Sequence, residues 1–237
     1  MAGGTWQSQN KIRPGVYIRF TSNRDLGLTV SDRGTVAIPA ALSWGPVETV
    51  QTIAAGADMV PYTGYDITDP KNRFLNEMFK GTNRTAAPNK VLLYRLGATG
   101  QKQATAEIAP LTATARYPGV RGNDITIVVT ELTDPADAFT VSTVVGGVIE
   151  DQQTAKTVED LTANDWVTFS GTGALAASVG APLTGGADGA PASSDYTDFL
   201  TAIEPYKFDV LAYDGSDSAV EDAFQAFIKR IADEEGA

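Results

Sequence analysis

The sequence has 237 residues, 43% hydrophobic and 20% charged, which is enough chain for one large domain or two smaller ones around a packed core. It contains neither cysteine nor histidine. This excludes disulfide bonds, thiolate or imidazole metal sites, cysteine nucleophiles and histidine-based catalytic triads. The formal net charge of −11 argues against a protein that binds nucleic acid through phosphate contacts.

These exclusions remove most hydrolase and zinc chemistries. We assign no catalytic residue, no cofactor-binding residue and no metal ligand, and we expect no cofactor. The first twenty residues lack the apolar run of a signal peptide, and no stretch approaches the roughly 20 apolar residues that cross a bilayer. We therefore expect a soluble protein without direct membrane insertion.

The charge is unevenly distributed along the chain. Residues 1–100 carry 11 basic and 7 acidic side chains, whereas residues 101–237 carry 7 basic and 22 acidic ones. Two interpretations stay open. The two parts are differently solvated lobes, or they provide complementary charges for contacts between copies of the chain.

The first predicted element is an N-terminal arm with a strand, residues 1–22. A Pro-Gly turn leads into alternation of apolar Val16, Ile18 and Phe20 with Tyr17 and Arg19. Such a strand cannot bury its apolar row alone, so the arm is either solvated or docks on another copy. The candidate inter-subunit arm comprises Ile12, Arg13, Pro14, Gly15, Val16, Tyr17, Ile18, Arg19 and Phe20. Five basic residues, Lys11, Arg13, Arg19, Arg24 and Arg33, face only two acidic ones in the first 33 residues.

Residues 23–97 predict the first part of an α/β core. Strands are indicated at residues 35–41 and 47–53, with a turn at Trp44, Gly45 and Pro46 between them and Pro39 suited to an edge or strand end. A helix is predicted from Asp69 and Pro70, stopped by Gly81, with an apolar face of Phe74, Leu75, Met78 and Phe79. Residues 90–96 predict a buried strand.

Residues 98–186 predict an inserted β-rich domain. Threonine, valine and glycine dominate, and residues 125–129 and 139–145 are typical strands, the second followed by the turn residues Gly146 and Gly147. A surface- or carbohydrate-binding module built on this domain is one alternative function. Its candidate aromatic residues are Trp166 and Phe169, although the alternation of residues 165–169 favours core packing.

Residues 187–237 predict the second, apparently truncated part of the core. A loop whose residues tolerate many backbone conformations contains a candidate interdomain hinge at Gly185, Gly186, Asp188 and Gly189. Asp195 is predicted to cap a helix, residues 208–213 to form a strand, and Ser218 with Glu221 to form a capping box. The last helix has the predicted apolar face Val220, Phe224, Phe227, Ile228 and Ile231. Since the next parallel strand of a crossover is missing, we expect an N-terminal portion of a longer chain. The alternative is a last helix that simply caps an open sheet.

A second alternative function is an α/β enzyme that uses carboxylates alone. It predicts paired acids with shifted pKa values in one pocket. The acidic residues around the last helix start, Asp214, Asp217, Glu221 and Asp222, are more typical of capping and dipole stabilisation.

Several segments together resemble the sheath protein of contractile phage tails, of the kind found in myophages and in the defective prophages and bacteriocins of Gram-positive bacteria. The resemblance depends on their order and spacing, and it spans nearly the whole chain. The segments are Arg13-Pro14-Gly15-Val16-Tyr17, Gly34-Thr35-Val36-Ala37-Ile38-Pro39, Ser43-Trp44-Gly45-Pro46, Tyr117-Pro118-Gly119-Val120-Arg121-Gly122-Asn123 and Leu183-Thr184-Gly185-Gly186-Ala187-Asp188-Gly189.

This resemblance implies a structural subunit that has an α/β core, interrupted by an inserted domain that faces outward. Copies are expected to stack as hexameric rings around an inner tube, to be linked by arms that add strands to neighbours, and to contract. Implied partners are other copies, the inner tail tube protein through the missing C-terminal part, the baseplate and the tail terminator. The implied location is a virion tail or phage-tail-like particle, with assembly in the host cytoplasm. Phage, bacteriocin and other contractile injectors stay open.

Overall fold

The computed structural model describes residues 34–81 and 86–235. The candidate arm, from Ile12 to Phe20, lies outside the described residues. The strands of the described part are β1 (Thr35–Ala40), β2 (Val50–Ala54), β3 (Lys90–Arg95), β4 (Thr105–Ile108), β5 (Leu111–Ala115), β6 (Ile125–Glu131), β7 (Phe139–Val145), β8 (Val148–Ala155), β9 (Val167–Gly171), β10 (Ser178–Pro182) and β11 (Val210–Leu211). The helices are α1 (Val60–Thr63), α2 (Arg73–Met78), α3 (Ser193–Ile203) and α4 (Ser218–Glu235).

The fold is mixed α/β with a β-sandwich. Its core sheet has the order β11-β1-β3-β2, in which β1 runs parallel to β3 and β11 while β2 is antiparallel to β3. The strands predicted at residues 35–41, 47–53 and 90–96 are confirmed. The strand predicted at residues 208–213 is shorter than expected, because only Val210 and Leu211 pair with β1.

Pro39 lies in an interior strand of the core sheet, yet near a strand end as predicted. Along β1 the carbonyls of Ala37 and Ala40 accept bonds from opposite sides, from Ala212 and Leu96 respectively. This alternation turns the nitrogen of Pro39 toward the β11 side, beyond the last residue of β11 that pairs with β1. The missing N–H of proline therefore breaks no ladder bond.

Helices cover both faces of the core sheet. On one face, α3 and α4 bury aromatic side chains against β1 and β3, with ring centroids of Tyr94 and Phe199 5.4 Å apart and those of Phe199 and Phe224 5.8 Å apart. On the other face, α2 packs the fully buried Leu75 against β2 and β3. The predicted helix after Pro70 is confirmed, but it begins with a 3-10 turn and ends at Met78, before Gly81.

Three predictions about the last two helices need correction or a more exact statement. Asp195 caps α3 from the third position of the first turn and not from the N-cap position, since its carboxylate accepts the N–H of the N-cap residue Ala192 at 2.7 Å. Asp217, and not Ser218, caps α4, because its carboxylate accepts the Ala219 N–H and its carbonyl accepts the Glu221 N–H. Ile228 is 39% exposed, so it does not belong to the buried face of α4.

The strands between β3 and β11 form the sandwich. One sheet has the order β10-β6-β7-β8 and the other β4-β5-β9, with one apolar core between them. The turn predicted at Gly146 and Gly147 is confirmed, since it joins β7 to β8 with both glycines at positive φ. Within residues 34–81 and 86–235, no helix combines the length and the apolarity that a membrane span needs.

Ionisation of the buried Tyr94 is expected to destabilise the fold at alkaline pH. Burial, followed by the negative charges of Glu48 and Asp198, raises the pKa of Tyr94 to about 12. The unfolded chain releases this proton near pH 10, so the neutral phenol stabilises the fold below pH 10 and that stabilisation is lost as the pH rises toward 12. We expect a loss of about 2 kcal/mol over this window.

Urea unfolding at pH 9 to 12 tests this expectation. The Tyr94→Phe variant should show a smaller loss over the window, whereas Tyr206→Phe, which changes an exposed ring, should follow the parent chain. Identical curves for all three proteins would contradict the role of Tyr94.

Candidate functional site

A network of long-range hydrogen bonds and ring contacts lies where the core sheet meets the sandwich. We call this network the junction and define it as the loop segments 43–45, 118–124 and 185–189, together with Arg95 at the end of β3. The predicted hinge residues lie within it.

Trp44 anchors the junction on the sandwich side. It follows β1 of the core sheet, yet its ring is 1% exposed and belongs to the core of the sandwich. Its centroid lies 4.9 Å from that of Trp166 and 5.4 Å from that of Tyr117, the latter edge-to-face. Such aromatic pairs add to area burial when the rings are desolvated. The Trp44 side chain thereby attaches the loop after β1 of the core sheet to the core of the sandwich.

Arg95 places a cation inside the junction. The residue is 2% exposed, and its Nη1 and Nη2 donate to the carbonyls of Gly45 and Pro118, each at 2.7 Å. Its buried Nε lacks a hydrogen-bond partner among the described residues. Burial lowers the pKa of Arg95 to about 10, opposed by the nearby charge of Asp188, so the group stays protonated at neutral pH. The cation ties the loop after β1 to the loop before β6.

Asp188 bonds the predicted hinge segment to both of these loops. Its carboxylate accepts the hydroxyl of Ser43 at 3.1 Å and the N–H of Val120 at 2.7 Å. Nearby, the N–H of Gly186 donates to the side-chain oxygen of Asn123, and that amide nitrogen donates back to the carbonyl of Gly186. Movement about this segment would have to break these bonds. The hinge at Gly185, Gly186, Asp188 and Gly189 stays a prediction.

Arg121 forms a further connection between the two bodies. Its Nε donates to the carbonyl of Gly64 at 2.9 Å, and its guanidinium lies 4.3 Å from the ring centroid of Tyr65 in the core part. The same group lies 5.6 Å from the ring of Trp166 in the sandwich and pairs with Asp124, three residues away. Partly shielded cation–π contacts of this kind favour a fixed orientation of the planar guanidinium.

Removing the Asp188 carboxylate is expected to loosen the junction. The Asp188→Ala variant leaves the Val120 N–H and the Ser43 hydroxyl without their acceptor and Arg95 without its nearest compensating charge. Hydrogen bonds to a charged group predict a loss of about 2 kcal/mol in the free energy of unfolding. Urea denaturation measures this loss, and hydrogen exchange at Val120 should accelerate. Asp198→Ala, at an exposed position of α3, is the control, with an expected change within about 0.5 kcal/mol. Equal stability of both variants would contradict this role.

The alternative functions find little support in this geometry. Each carboxyl group of the described part with a shifted pKa has that pKa lowered, whereas a general acid needs a raised one. The cause is hydrogen bonding to Thr68, Lys80, Thr157 or Arg230 and, for Glu159, to its own backbone N–H and that of Gly173. Within residues 34–81 and 86–235, no three acidic side chains are grouped to hold a metal ion. Trp166 is 6% exposed, and Phe169 packs against the sandwich core, so they form no exposed aromatic platform.

Sequence reasoning missed the two main residues of the junction. Trp44 appeared only as part of a turn, and Arg95 only as the end of an apolar strand. An arginine directly after the run Val91–Tyr94 was the available signal, since a buried arginine needs carbonyl or carboxylate partners. Its partners lie 50 and 23 residues away and could not be identified from local pattern.

Two family models match consecutive stretches of the chain. The tail sheath protein Gp18 domain III N-terminal region matches residues 33–96, and the phage tail sheath protein beta-sandwich domain matches residues 98–188. Two curated proteins of Bacillus subtilis are similar over all of this chain: the phage-like element PBSX protein XkdK, 39% identical, and the uncharacterized protein YqbK, 36% identical. This chain covers 53% of each.

Two solved structures have the same fold. The sheath tail protein of Desulfitobacterium hafniense superposes with a TM-score of 0.81 at 44% identity, covering 94% of this chain and 51% of that one. The sheath tail protein of Listeria innocua gives a TM-score of 0.75 at 34% identity, covering 86% of this chain and 46% of that one. The chain therefore spans about half the length of the relatives that it matches.

Proposed function

The chain belongs to the phage tail sheath protein family, and we propose that it is a structural subunit of a contractile tail sheath. Copies assemble helically, as stacked hexameric rings around an inner tube, and contraction drives the tube through a target envelope. One observation carries the proposal: two sheath models match consecutive stretches that contain the first three core strands and the whole sandwich.

We propose that self-association involves the N-terminal arm. An apolar row at Val16, Ile18 and Phe20 gains most by packing against another copy, and the basic residues of the arm complement the acidic second part of the chain. A contact between two different surfaces, repeated with a screw operation, generates an open helix. The arm would keep neighbours attached while contacts between their bodies change.

Contraction is proposed to draw its energy from the lattice itself. An extended arrangement relaxes to one with more favourable contacts between subunits, which move as bodies. The junction supports this proposal, because Trp44, Arg95 and Asp188 give the sandwich several attachments to the core sheet.

Proposed partners are the inner tail tube protein, the baseplate and the tail terminator. The subunit is located in a phage tail or phage-tail-like particle, after assembly in the host cytoplasm.

We propose four parts for the chain: the arm at residues 1–22, the first core part at 23–97, an inserted sandwich at 98–186 and the second core part at 187–237. The return of β11 to the core sheet after the seven sandwich strands supports the insertion. An outward position of the sandwich in the assembled sheath belongs to the same proposal.

Light scattering tests the role of the arm. The chain of residues 1–237 and a variant without residues 1–20 are compared across protein concentration and salt, with a variant in which residues 2–9 are shuffled as the control. We expect the mean mass of the 1–237 chain and of the control to rise with concentration, and the deletion variant to stay monomeric. Equal self-association of all three proteins would contradict a docking arm.

A further inference from the structure

The first residues of β1 are hydrogen-bonded on both sides. In the sheet order β11-β1-β3-β2, β1 lies between β11 and β3. On the β3 side, the carbonyl of Gly34 accepts the N–H of Asn89 at 2.9 Å. On the β11 side, the carbonyl of Thr35 accepts the N–H of Asp209 at 2.9 Å, and Thr35 is 1% exposed. The chain of residues 1–33 enters the core sheet at this point.

Asp209 adds two further bonds at this point through its side chain. Its Oδ2 accepts the N–H of Gly34 at 2.7 Å and the N–H of Thr35 at 2.9 Å. Hydrogen bonds to an ionised acceptor are roughly twice as strong as bonds between neutral groups. Asp209 directly precedes β11, so a residue 174 positions after Thr35 holds the start of β1.

The backbone conformation of Gly34 allows it to be held from two directions. In a regular strand, the N–H and the C=O of one residue point toward the same neighbouring strand. Gly34 has a φ of +94°, a left-handed conformation that favours glycine. Its C=O is bonded on the β3 side while its N–H reaches the Asp209 carboxylate on the β11 side. One residue at the entry of the sheet is thereby bonded to both neighbours of β1.

The carboxylate strengthens the side on which β1 has the shorter pairing. The register of β11 with β1 covers only Val36 with Val210 and Ala37 with Leu211. The N–H groups of Gly34 and Thr35 come before this register, and the Asp209 carboxylate takes the place of a backbone acceptor for them. The pairing with β3 covers all six residues of β1. Without this carboxylate, the start of β1 would depend mainly on β3.

Force on residues 1–33 reaches the described core at the start of β1. In the proposed assembly, the N-terminal arm keeps neighbours attached while their bodies move, so contraction pulls on the chain just before Gly34. A force that peels a strand breaks its end bonds first, and a force along the strand loads all of its bonds together. In both cases, the bonds of Gly34 and Thr35 resist the force from the outset.

We infer that Asp209 is a mechanical clamp, an inference that rests on the proposed function of the N-terminal arm. Its carboxylate holds the start of β1 against pulling on residues 1–33 and transfers that force to β11 and the second core part of the chain. This role is distinct from a contribution to stability at rest, because it depends on the point at which force enters the molecule.

Single-molecule force spectroscopy of the full-length gene product that carries this sequence tests the clamp. DNA handles are attached through p-azidophenylalanine at two positions, and two pulling geometries share the handle at the exposed Thr133 of the sandwich. In the first geometry, the other handle replaces Ser8, so that force enters through the start of β1. In the second, it replaces the exposed Ala55 after β2, so that force bypasses Gly34. The rate of rupture at constant force is measured in both.

We expect Asp209→Ala to raise the rupture rate about tenfold in the first geometry, because two charge-assisted bonds are lost where the force enters. In the second geometry, the rise should stay below about twofold. Asp209→Asn keeps the size of the side chain and one acceptor oxygen but not the charge, so it should give an intermediate rise in the first geometry. The matched control is Asp214→Ala, which removes an exposed carboxylate from the loop after β11 and should change neither rate by more than about twofold.

Three results would overturn the inference. Equal effects of Asp209→Ala in the two geometries would show that Asp209 contributes to stability alone. An unchanged rupture rate in the first geometry would show that its bonds do not resist force. An equal effect of Asp214→Ala would show that any carboxylate near β11 acts in the same way. Should the alanine variant fail to fold, the rates of Asp209→Asn in the two geometries decide the question by the same comparison.

The measurement is made on single tethered molecules, so its result does not depend on assembly. If the chain self-associates in light scattering but Asp209→Ala ruptures at the parent rate, the clamp is wrong and the proposed assembly stands. If Asp209→Ala ruptures faster only in the first geometry, the start of β1 is clamped, and the absence of self-association would then refute the proposed role of the arm alone.

Discussion

Replacing Trp44 with alanine is expected to lower the free energy of unfolding by about 4 kcal/mol. The indole is 1% exposed and packs against Trp166 and Tyr117 within the sandwich core, although the residue follows a strand of the core sheet. Removing it creates a cavity at the place where the two bodies meet, and the surrounding rings are too tightly placed to close it. Urea denaturation followed by far-ultraviolet circular dichroism measures the change.

The control for this variant is Tyr206→Ala, which removes an aromatic ring that is 42% exposed. We expect a loss below about 1 kcal/mol there. If Trp44→Ala and Tyr206→Ala proved equally stable, Trp44 would not be the anchor of the junction. A further consequence is two separate unfolding transitions for Trp44→Ala, since the core sheet and the sandwich would then unfold with less coupling.

The second large effect is expected for Gly119→Ala, with a loss of about 4 kcal/mol. Gly119 has a φ of +132°, and an added Cβ would collide with the carbonyl oxygen of Ser43. The methyl group also meets Asp188 at 3.0 Å. The substitution therefore forces the loops of the junction apart, in addition to straining the backbone.

The Gly173→Ala variant separates the effect of backbone strain from that of the steric collision. Gly173 also has a positive φ, +108°, but its added Cβ would meet no atom within 4 Å. Backbone strain alone predicts a loss of about 1 to 2 kcal/mol there. A difference of at least about 2 kcal/mol between the two variants, measured by the same urea denaturation, is the expected result. Equal losses would show that the close approach of Gly119 to Ser43 does not matter for stability.

Local pattern predicted most of the core sheet. Alternation and apolar content identified β1, β2 and β3, because the apolar side chains that pack into the core lie within each strand. The helix after Pro70 was predictable for the same reason, from its one apolar face. The end of α4 was less predictable: Ile228 follows Phe227 in sequence, and helical periodicity alone does not fix how wide the buried stripe is.

The helix starts were predicted to within three residues. The exact capping residue was not predicted, because neighbouring residues can each accept the same backbone N–H groups. Asp217 precedes Ser218, and a carboxylate and a hydroxyl at adjacent positions are both good caps. Near α3, Asp195 accepts a backbone N–H from within the first turn, a role with the same sequence signal as a cap.

The junction was the part that sequence could not provide. Its contacts join Ser43 to Asp188 and Arg95 to Gly45 and Pro118 across long stretches of chain. A glycine-rich loop has the same composition whether it moves freely or is bonded on both sides. Only the placement of Asp188 beside Val120 and Ser43 distinguishes these states, and that placement is a property of the folded chain.

The measurement that tests the central claim most directly is negative-stain electron microscopy of the full-length gene product that carries this sequence, purified and concentrated at low and moderate salt. The account predicts rings or tubes of uniform diameter with a regular axial repeat, because subunits joined by one repeated heterologous contact form a helix. Particles of monomer size under all conditions, with or without added tail tube protein, would contradict a sheath subunit.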